Sequence, residues 1–208
     1  MQEDKILIID HGAGNIGSVV NMFKRVGHSC LVSASSLDIK NAKKIVIPGI
    51  GHFDYGMEQL RKRHLIDVLS RTVVENKIPV MGICLGMQMM TLGSEEGHEK
   101  GLGWIKAEVR KFNADNGNYR IPHMGWNSVS IKKETPLVKG LDTEKHLRFY
   151  FVHSYFVNCH ENTDVLMKTQ YADEFVSAFQ HENIMGVQFH PEKSHRYGMM
   201  LFKNFGDL

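Results

Sequence analysis

A cysteine flanked by glycines, and a histidine followed two residues later by a glutamate, are the parts of this sequence that could do covalent chemistry. Cys84 stands in Gly82-Ile83-Cys84-Leu85-Gly86-Met87-Gln88, and His190-Pro191-Glu192 lies near the far end of the chain. A thiol attacks a carbonyl carbon as its thiolate, so it needs a base, and the same base must later hand a proton to the leaving group. That base needs an acceptor that fixes its tautomer. Cys84, His190 and Glu192 fill the three roles of nucleophile, base and orienter. Among the twelve histidines, His190 alone ends an apolar strand two residues before a carboxylate. In an extended segment residues two apart face the same way, and Pro191 limits their drift. The competing reading of Cys84 is a small buried hydrophobe.

The elements around the cysteine favour an exposed, strained position. Ile78-Pro79-Val80-Met81 is short and apolar, as a buried parallel strand would be, and Met87-Gln88-Met89-Met90-Thr91-Leu92 is helical in pattern. Gly82 and Gly86 carry no Cβ to block a sharp strand-to-helix turn, which is the logic of a nucleophile elbow. The sulfur would then lie near the first free N–H groups of the helix.

Earlier in the chain, Lys5–Asp10 reads as a buried strand, Ser18–Gly27 as a helix, Ser29–Ala34 and Lys44–Ile47 as further strands, and Tyr55–Asn76 as helix broken near Arg63-His64. Alternating strand and helix predict right-handed crossovers and a doubly wound, mostly parallel α/β sheet with flanking helices. Gly12, Gly14 and Gly17 spell the pattern of a dinucleotide turn. The acidic residue that should close the second strand is missing, since that strand ends in Ser35-Ser36. At the carboxyl edge, Pro48-Gly49-Ile50-Gly51-His52-Phe53 forms a loop whose peptide N–H groups could serve as an oxyanion hole beside Cys84.

The remainder is β-rich. Strands are expected over Trp104–Phe112, Tyr119–Ile121, Ser128–Ile131, Arg148–Val157, Asp164–Tyr171, Val176–His181 and Ile184–His190, and a last helix over Ser194–Asn204. Ile121-Pro122-His123-Met124-Gly125-Trp126-Asn127 reads by periodicity as a loop tucked against the core, with a partner-docking surface as the alternative. No repeat or linker divides the chain, so one domain over residues 1–208 is expected.

Composition bounds the function classes. A length of 208 residues suits one sizeable core, and 42% apolar with 23% charged residues is ordinary for a globular protein. A formal net charge of +2 points to neither nucleic acid nor a membrane surface. Three cysteines, Cys30, Cys84 and Cys159, without C-x-x-C spacing suggest neither a disulfide framework nor a zinc knuckle, and His181, His190 and His195 fit no ligand motif, so no metal is expected. The polar start Met1-Gln2-Glu3-Asp4-Lys5 shows no signal-peptide pattern and no apolar run reaches a membrane span, so a cytoplasmic location is expected.

Over essentially its whole length the chain resembles the class I, triad-type glutamine amidotransferases. The carriers are the Cys84 heptapeptide and Phe189-His190-Pro191-Glu192, about a hundred residues apart in the family's order. Asp10-His11-Gly12-Ala13-Gly14-Asn15, Pro48–Phe53, Pro122–Asn127 and Phe151-Val152-His153-Ser154-Tyr155 resemble, more narrowly, the glutaminase subunits of imidazole glycerol phosphate synthase in histidine biosynthesis. The resemblance implies that the Cys84 thiolate attacks the side-chain amide of L-glutamine, ammonia leaves, and water cleaves the glutamyl thioester. It implies the backbone N–H groups of Leu85 and Ile50 as oxyanion donors, with Gly49, Gly51, Gln88 and the backbone from His153 through Ser154 and Tyr155 to Phe156 holding the substrate.

It further implies no cofactor and a heterodimer with a (β/α)8-barrel cyclase subunit, which receives the ammonia and forms imidazole glycerol phosphate and an aminoimidazole carboxamide ribonucleotide. Pro122, His123, Met124, Gly125, Trp126 and Asn127 would form that interface. One segment departs from the pattern. After Lys193-Ser194 the histidine-pathway subunits carry a small, Gly-containing segment, whereas this chain has His195-Arg196-Tyr197-Gly198-Met199. That segment and Gly101-Leu102-Gly103-Trp104 look more like paralogues that supply ammonia to a cyclase-like partner for amidation of a bacterial surface-polysaccharide sugar. A cysteine peptidase of related fold would need neither Gln88 nor the docking segment, and a nucleotide-binding module would not need Cys84.

Overall fold

The computed structural model describes residues 5–113, 119–141, 143–144 and 146–208. Residues 1–4, which carry most of the polar start read above, lie outside them. Five parallel strands form one half of the main sheet, in the order β2 (Cys30–Ser33), β1 (Ile6–Ile9), β3 (Ile45–Gly49), β4 (Val80–Cys84) and β12 (Ile184–Val187). The sheet continues antiparallel through β11 (Asp173–His181), β10 (Val165–Tyr171) and the short β7 (Ser130–Ile131). Two more antiparallel strands, β5 (Ala107–Lys111) and β9 (Tyr155–Cys159), join at β11.

Period-two alternation divides each buried strand between two cores. In β1, Ile6 and Ile8 pack with Val19, Met22 and Phe23 of α1 (Ile16–Arg25) and with Leu201, Phe202 and Phe205 of α6 (His195–Asp207). Leu7 and Ile9 face the other way, onto Ile39 of α2 (Ser36–Asn41), Met57 and Leu60 of α3 (Phe53–Lys62) and Leu69 of α4 (Ile66–Ser70). Two covered faces explain why these strands read as unbroken apolar runs. The helix expected over Tyr55–Asn76 is interrupted where proposed, with His64 at φ 55° between α3 and α4, and ends in a π-helical turn, Arg71–Glu75.

The structure corrects several boundaries. Helix α2 was not foreseen; Ser35 caps it by accepting from the Leu37 N–H, and Asp38 accepts from Ser33 Oγ at 2.5 Å. Tyr119–Ile121 is bent rather than a strand, and the strand expected over Trp104–Phe112 is shortened to β5. Ile121–Asn127 is no tucked loop: His123–Ser128 is a strand, β6, paired antiparallel with β8 (Arg148–His153) in a separate two-stranded sheet. Strand β12 stops at Val187, and Pro191–Lys193 is a 3-10 turn, so His190 and Glu192 do not share an extended segment.

Helix α5 (Leu85–Met89) begins directly at the end of β4, and Cys84 between them sits at φ 54°, ψ −110°. For a residue with a Cβ that conformation costs roughly 1–3 kcal/mol and has to be imposed by its surroundings. Close backbone packing imposes it. A Cβ on Gly86 would stand 1.8 Å from the Ile47 carbonyl oxygen, and one on Gly82 would stand 2.6 Å from the Gly86 oxygen. Gly86→Ala is therefore expected to push α5 off β3 and to lower stability by roughly 2–4 kcal/mol. A urea titration checks this; an unchanged midpoint would contradict the packing argument.

Candidate active site

The parallel strands deliver their ligand-facing loops to one carboxyl edge, which is where an open α/β sheet binds ligands. Cys84 comes from the end of β4, the Gly49-Ile50-Gly51 loop from the end of β3, and His190 from just beyond β12. The corner between β8 and β9 closes the far side. Together Ile50, Gly51, Cys84, Leu85, Gln88, Glu96, Pro122, Val152, His153, Ser154, Tyr155, His190 and Lys193 line a cavity of about 480 Å³. Gly49 lies beneath it, where an added Cβ would stand 2.7 Å from the Gly86 nitrogen. Phe156 is not among the lining residues; its ring packs 4.7 Å from that of Phe112.

His190 and Glu192 meet despite the turn between them. Nδ1 of the imidazole lies 2.8 Å from Glu192 Oε1, and both side chains are 2% exposed. The His190 backbone is pinned as well: its N–H donates to the Tyr150 carbonyl at 2.8 Å, and its carbonyl accepts from Ser194 Oγ at 2.7 Å. With Nδ1 committed to the carboxylate, Nε2 is the nitrogen left for Cys84, buried and without a formed hydrogen bond among the described residues. Burial acts to lower the His190 pKa, but hydrogen bonding and charge from Cys84 and Glu192 outweigh it and raise it to about 10. An imidazolium beside the sulfur is the arrangement that a thiolate nucleophile requires.

A second set of polar groups fixes the floor of the cavity. Gln88 Nε2 donates to the Tyr155 carbonyl at 3.1 Å and to Gln188 Oε1 at 3.0 Å, and Gln188 Nε2 approaches Cys84 Sγ at 3.7 Å. Gln188 and Glu96 were missed by sequence reasoning. Gln188 lies two residues before His190, but nothing in its type or spacing singles it out. Glu96 sits in a Gly- and Glu-rich loop and accepts from the Phe53 N–H at 2.8 Å, which places a carboxylate at the start of α3 and on the cavity wall. A carboxylate in that position suits an ammonium group on a ligand.

Within Pro122–Asn127 the alternation of β6 separates two roles. Met124 and Trp126 face outward, 62% and 41% exposed, while His123 is buried. Asn127 turns inward, with its Nδ2 3.2 Å from His123 Nε2 and 3.0 Å from the Gln170 carbonyl. Of the histidines weighed as metal ligands, His181 bonds Asp164, His190 bonds Glu192 and His195 stacks on Trp126, so each engages a different partner.

A model of the class I glutamine amidotransferases matches residues 7–207. The chain belongs to the class I glutamine amidotransferase family. It is 49% identical over 203 residues to imidazole glycerol phosphate synthase subunit HisH 2 of Pseudomonas aeruginosa, covering 98% of this chain and 99% of that one. Identity to the HisH 2 subunit of Methanococcus maripaludis is 48% over 200 residues, covering 96% and 98%. Among solved structures, PurLQS from Thermotoga maritima superposes with a TM-score of 0.75 at 16% identity, covering 98% of each chain. The glutaminase domain of Trypanosoma brucei CTPS superposes with a TM-score of 0.65 at 18% identity, covering 98% of this chain and 93% of that one. At those identities the likeness shows the fold, and the family membership makes this chain a glutamine amidotransferase.

Glu192→Gln keeps a hydrogen-bond acceptor on His190 but removes the charge that helps hold the imidazole protonated. It is expected to lower glutaminase kcat/KM by roughly 10^3-fold. Because the histidine then loses its proton at lower pH, the alkaline limb of the rate profile should move down. A profile displaced upward, or unmoved, would contradict the assigned pairing.

Proposed function

We infer that this chain is the glutaminase subunit of an imidazole glycerol phosphate synthase, acting in the cytoplasm as one domain. It hydrolyses glutamine and passes the ammonia to a (β/α)8-barrel cyclase subunit, which forms imidazole glycerol phosphate and the aminoimidazole carboxamide ribonucleotide. The observation that carries the chemistry is the buried His190–Glu192 pair beside a cysteine on a glycine-packed elbow. The sequence relatives carry the pathway.

In this reading the thiolate of Cys84 adds to the side-chain amide carbon of glutamine. The Leu85 N–H at the head of α5, and the Ile50 N–H after a peptide reorientation, receive the developing oxyanion, each worth a few kcal/mol. His190 then protonates the departing ammonia, and afterwards takes a proton from the water that cleaves the thioester. Gln88, Gly51 and the backbone from His153 to Tyr155 hold the substrate, and Glu96 receives its α-ammonium group. Half-exposed Ile50, beside Gly51 at φ 102°, gives the oxyanion loop room to exchange between an inactive and an active peptide orientation under the influence of a partner. Pro122, Met124 and Trp126 offer the apolar surface for that partner at the mouth of the cavity.

One observation favours a second reading of the acceptor. His195, in the segment that departs from the histidine-pathway subunits, stacks on Trp126 with ring centroids 5.5 Å apart, so the departure falls on the docking face. A cyclase-like barrel that directs ammonia to a bacterial surface sugar would leave the glutaminase machinery unchanged and alter this contact.

The test is glutamate release from glutamine by the chain alone, with a histidine-pathway cyclase subunit and its ribonucleotide, and with a surface-sugar cyclase-like barrel. The first barrel is expected to stimulate release, and Cys84→Ala to abolish it, by on the order of 10^5-fold. Stimulation by the second barrel only would move the chain to sugar amidation. Partner-stimulated hydrolysis that survives Cys84→Ala would sink the mechanism.

A further inference from the structure

A line of buried and partly buried hydrogen bonds joins strand β6 to the floor of the glutamine cavity, and it has one direction. His153 Nδ1 lies 2.8 Å from the Tyr155 carbonyl oxygen, which can only accept, so the proton is on Nδ1. His153 Nε2 lies 2.9 Å from His123 Nδ1, and His123 Nε2 lies 3.2 Å from Asn127 Nδ2. With each ring neutral, every donor in the series must point the same way: Asn127 donates to His123, His123 to His153, and His153 to the Tyr155 carbonyl. Burial supports the neutral forms, pushing the His123 pKa down to about 4 and that of His153 to about 3. The Tyr155 carbonyl is also the acceptor for Gln88, whose amide reaches Gln188 and, through it, the sulfur of Cys84.

The rings are held as well as linked. His123 is stacked between Phe151, at 4.7 Å, and Tyr171, at 3.9 Å, and both rings approach Phe175. A shift of β6 therefore moves His123 as a packed unit rather than letting its ring rotate free. On its outer face the same strand carries the exposed Met124 and Trp126.

We propose that His123 and His153 are positioning residues, which transmit the placement of the docking strand to the Tyr155 carbonyl and so set the orientation of Gln88 beneath the substrate. This rests on the functional reading above. Neither ring touches the reacting atoms; both act through the backbone of Tyr155. A partner seated on Met124 and Trp126 would tighten or release this line, in addition to any effect on the Gly49-Ile50-Gly51 loop.

The variants His123→Leu and His123→Asn test it in the complex with whichever barrel stimulates the wild-type chain. Asparagine can place an amide donor near the position of Nδ1, and leucine cannot. Stimulated kcat/KM for glutamine is expected to fall roughly tenfold or more in the leucine variant and to recover largely in the asparagine variant. The barrel concentration giving half-maximal stimulation should stay unchanged in both. A loss confined to that concentration would mean a docking role, and equal activity of both variants and wild type would mean no role; either overturns the inference alone. A wild-type chain that neither barrel stimulates overturns the functional reading and this inference with it. Should the leucine variant fail to fold, histidine 15N spectra of the wild-type chain decide instead. Both rings are expected as Nδ1–H tautomers, and an Nε2–H tautomer on either would overturn the direction of the series.

Discussion

Helix α5 approaches β3 more closely than any side chain would allow, and the position of the sulfur depends on that contact. The helix can begin one residue after the strand ends only because Gly82, Gly86 and Gly49 let backbone meet backbone; Gly186 of β12 makes room instead for the side chains of Met87 and Phe179. The unfavourable conformation of Cys84 is thus held by close packing on several sides. The Gly49-Ile50-Gly51 loop follows β3 directly, so the contact that lifts the sulfur also sets this loop beside it.

Three histidines near this cavity show how surroundings, rather than residue type, decide charge. His123 and His153 are buried among aromatic rings and backbone acceptors without a carboxylate partner, and burial drives both to the neutral form. His190 is buried too, yet the Glu192 carboxylate and the Cys84 sulfur reverse the direction of its shift. Neutral rings suit a hydrogen-bonded linkage with fixed donors and acceptors, and a protonated ring suits acid–base work on a departing amine.

The architecture is shared with PurLQS and with the CTPS glutaminase domain at 16 to 18% identity, whereas the HisH relatives reach 48 to 49%. What distinguishes members of such a family is expected on loops and outer faces rather than in the sheet. The exposed side of β6 fits that expectation, since Trp126 lies there with Arg148 over its ring at 5.4 Å and His195 stacked on it. The main sheet presents one edge to the cavity, and the small β6–β8 sheet presents a second, outward surface.

The parallel half of the sheet, the elbow and the association of cysteine with histidine were legible in the sequence, because each leaves a local mark. Strands covered on both faces are apolar without interruption, a strained turn collects glycines, and the paired histidine and glutamate lie two residues apart. Strand β6 left no such mark. It is covered on one face only, carries Gly125 within it, and pairs with residues 20 to 30 positions away, so it read as a loop. The rest of the polar floor was equally hidden: Gln188, which bonds Gln88, lies a hundred residues from it, and Glu96 comes from a loop with no periodicity. Local sequence thus determined which groups could react, because backbone propensity and patterning act over a few residues. Which polar groups surround the sulfur was decided by tertiary structure alone, because satisfying a buried donor or acceptor is a condition on distance in space, wherever in the chain the partner lies.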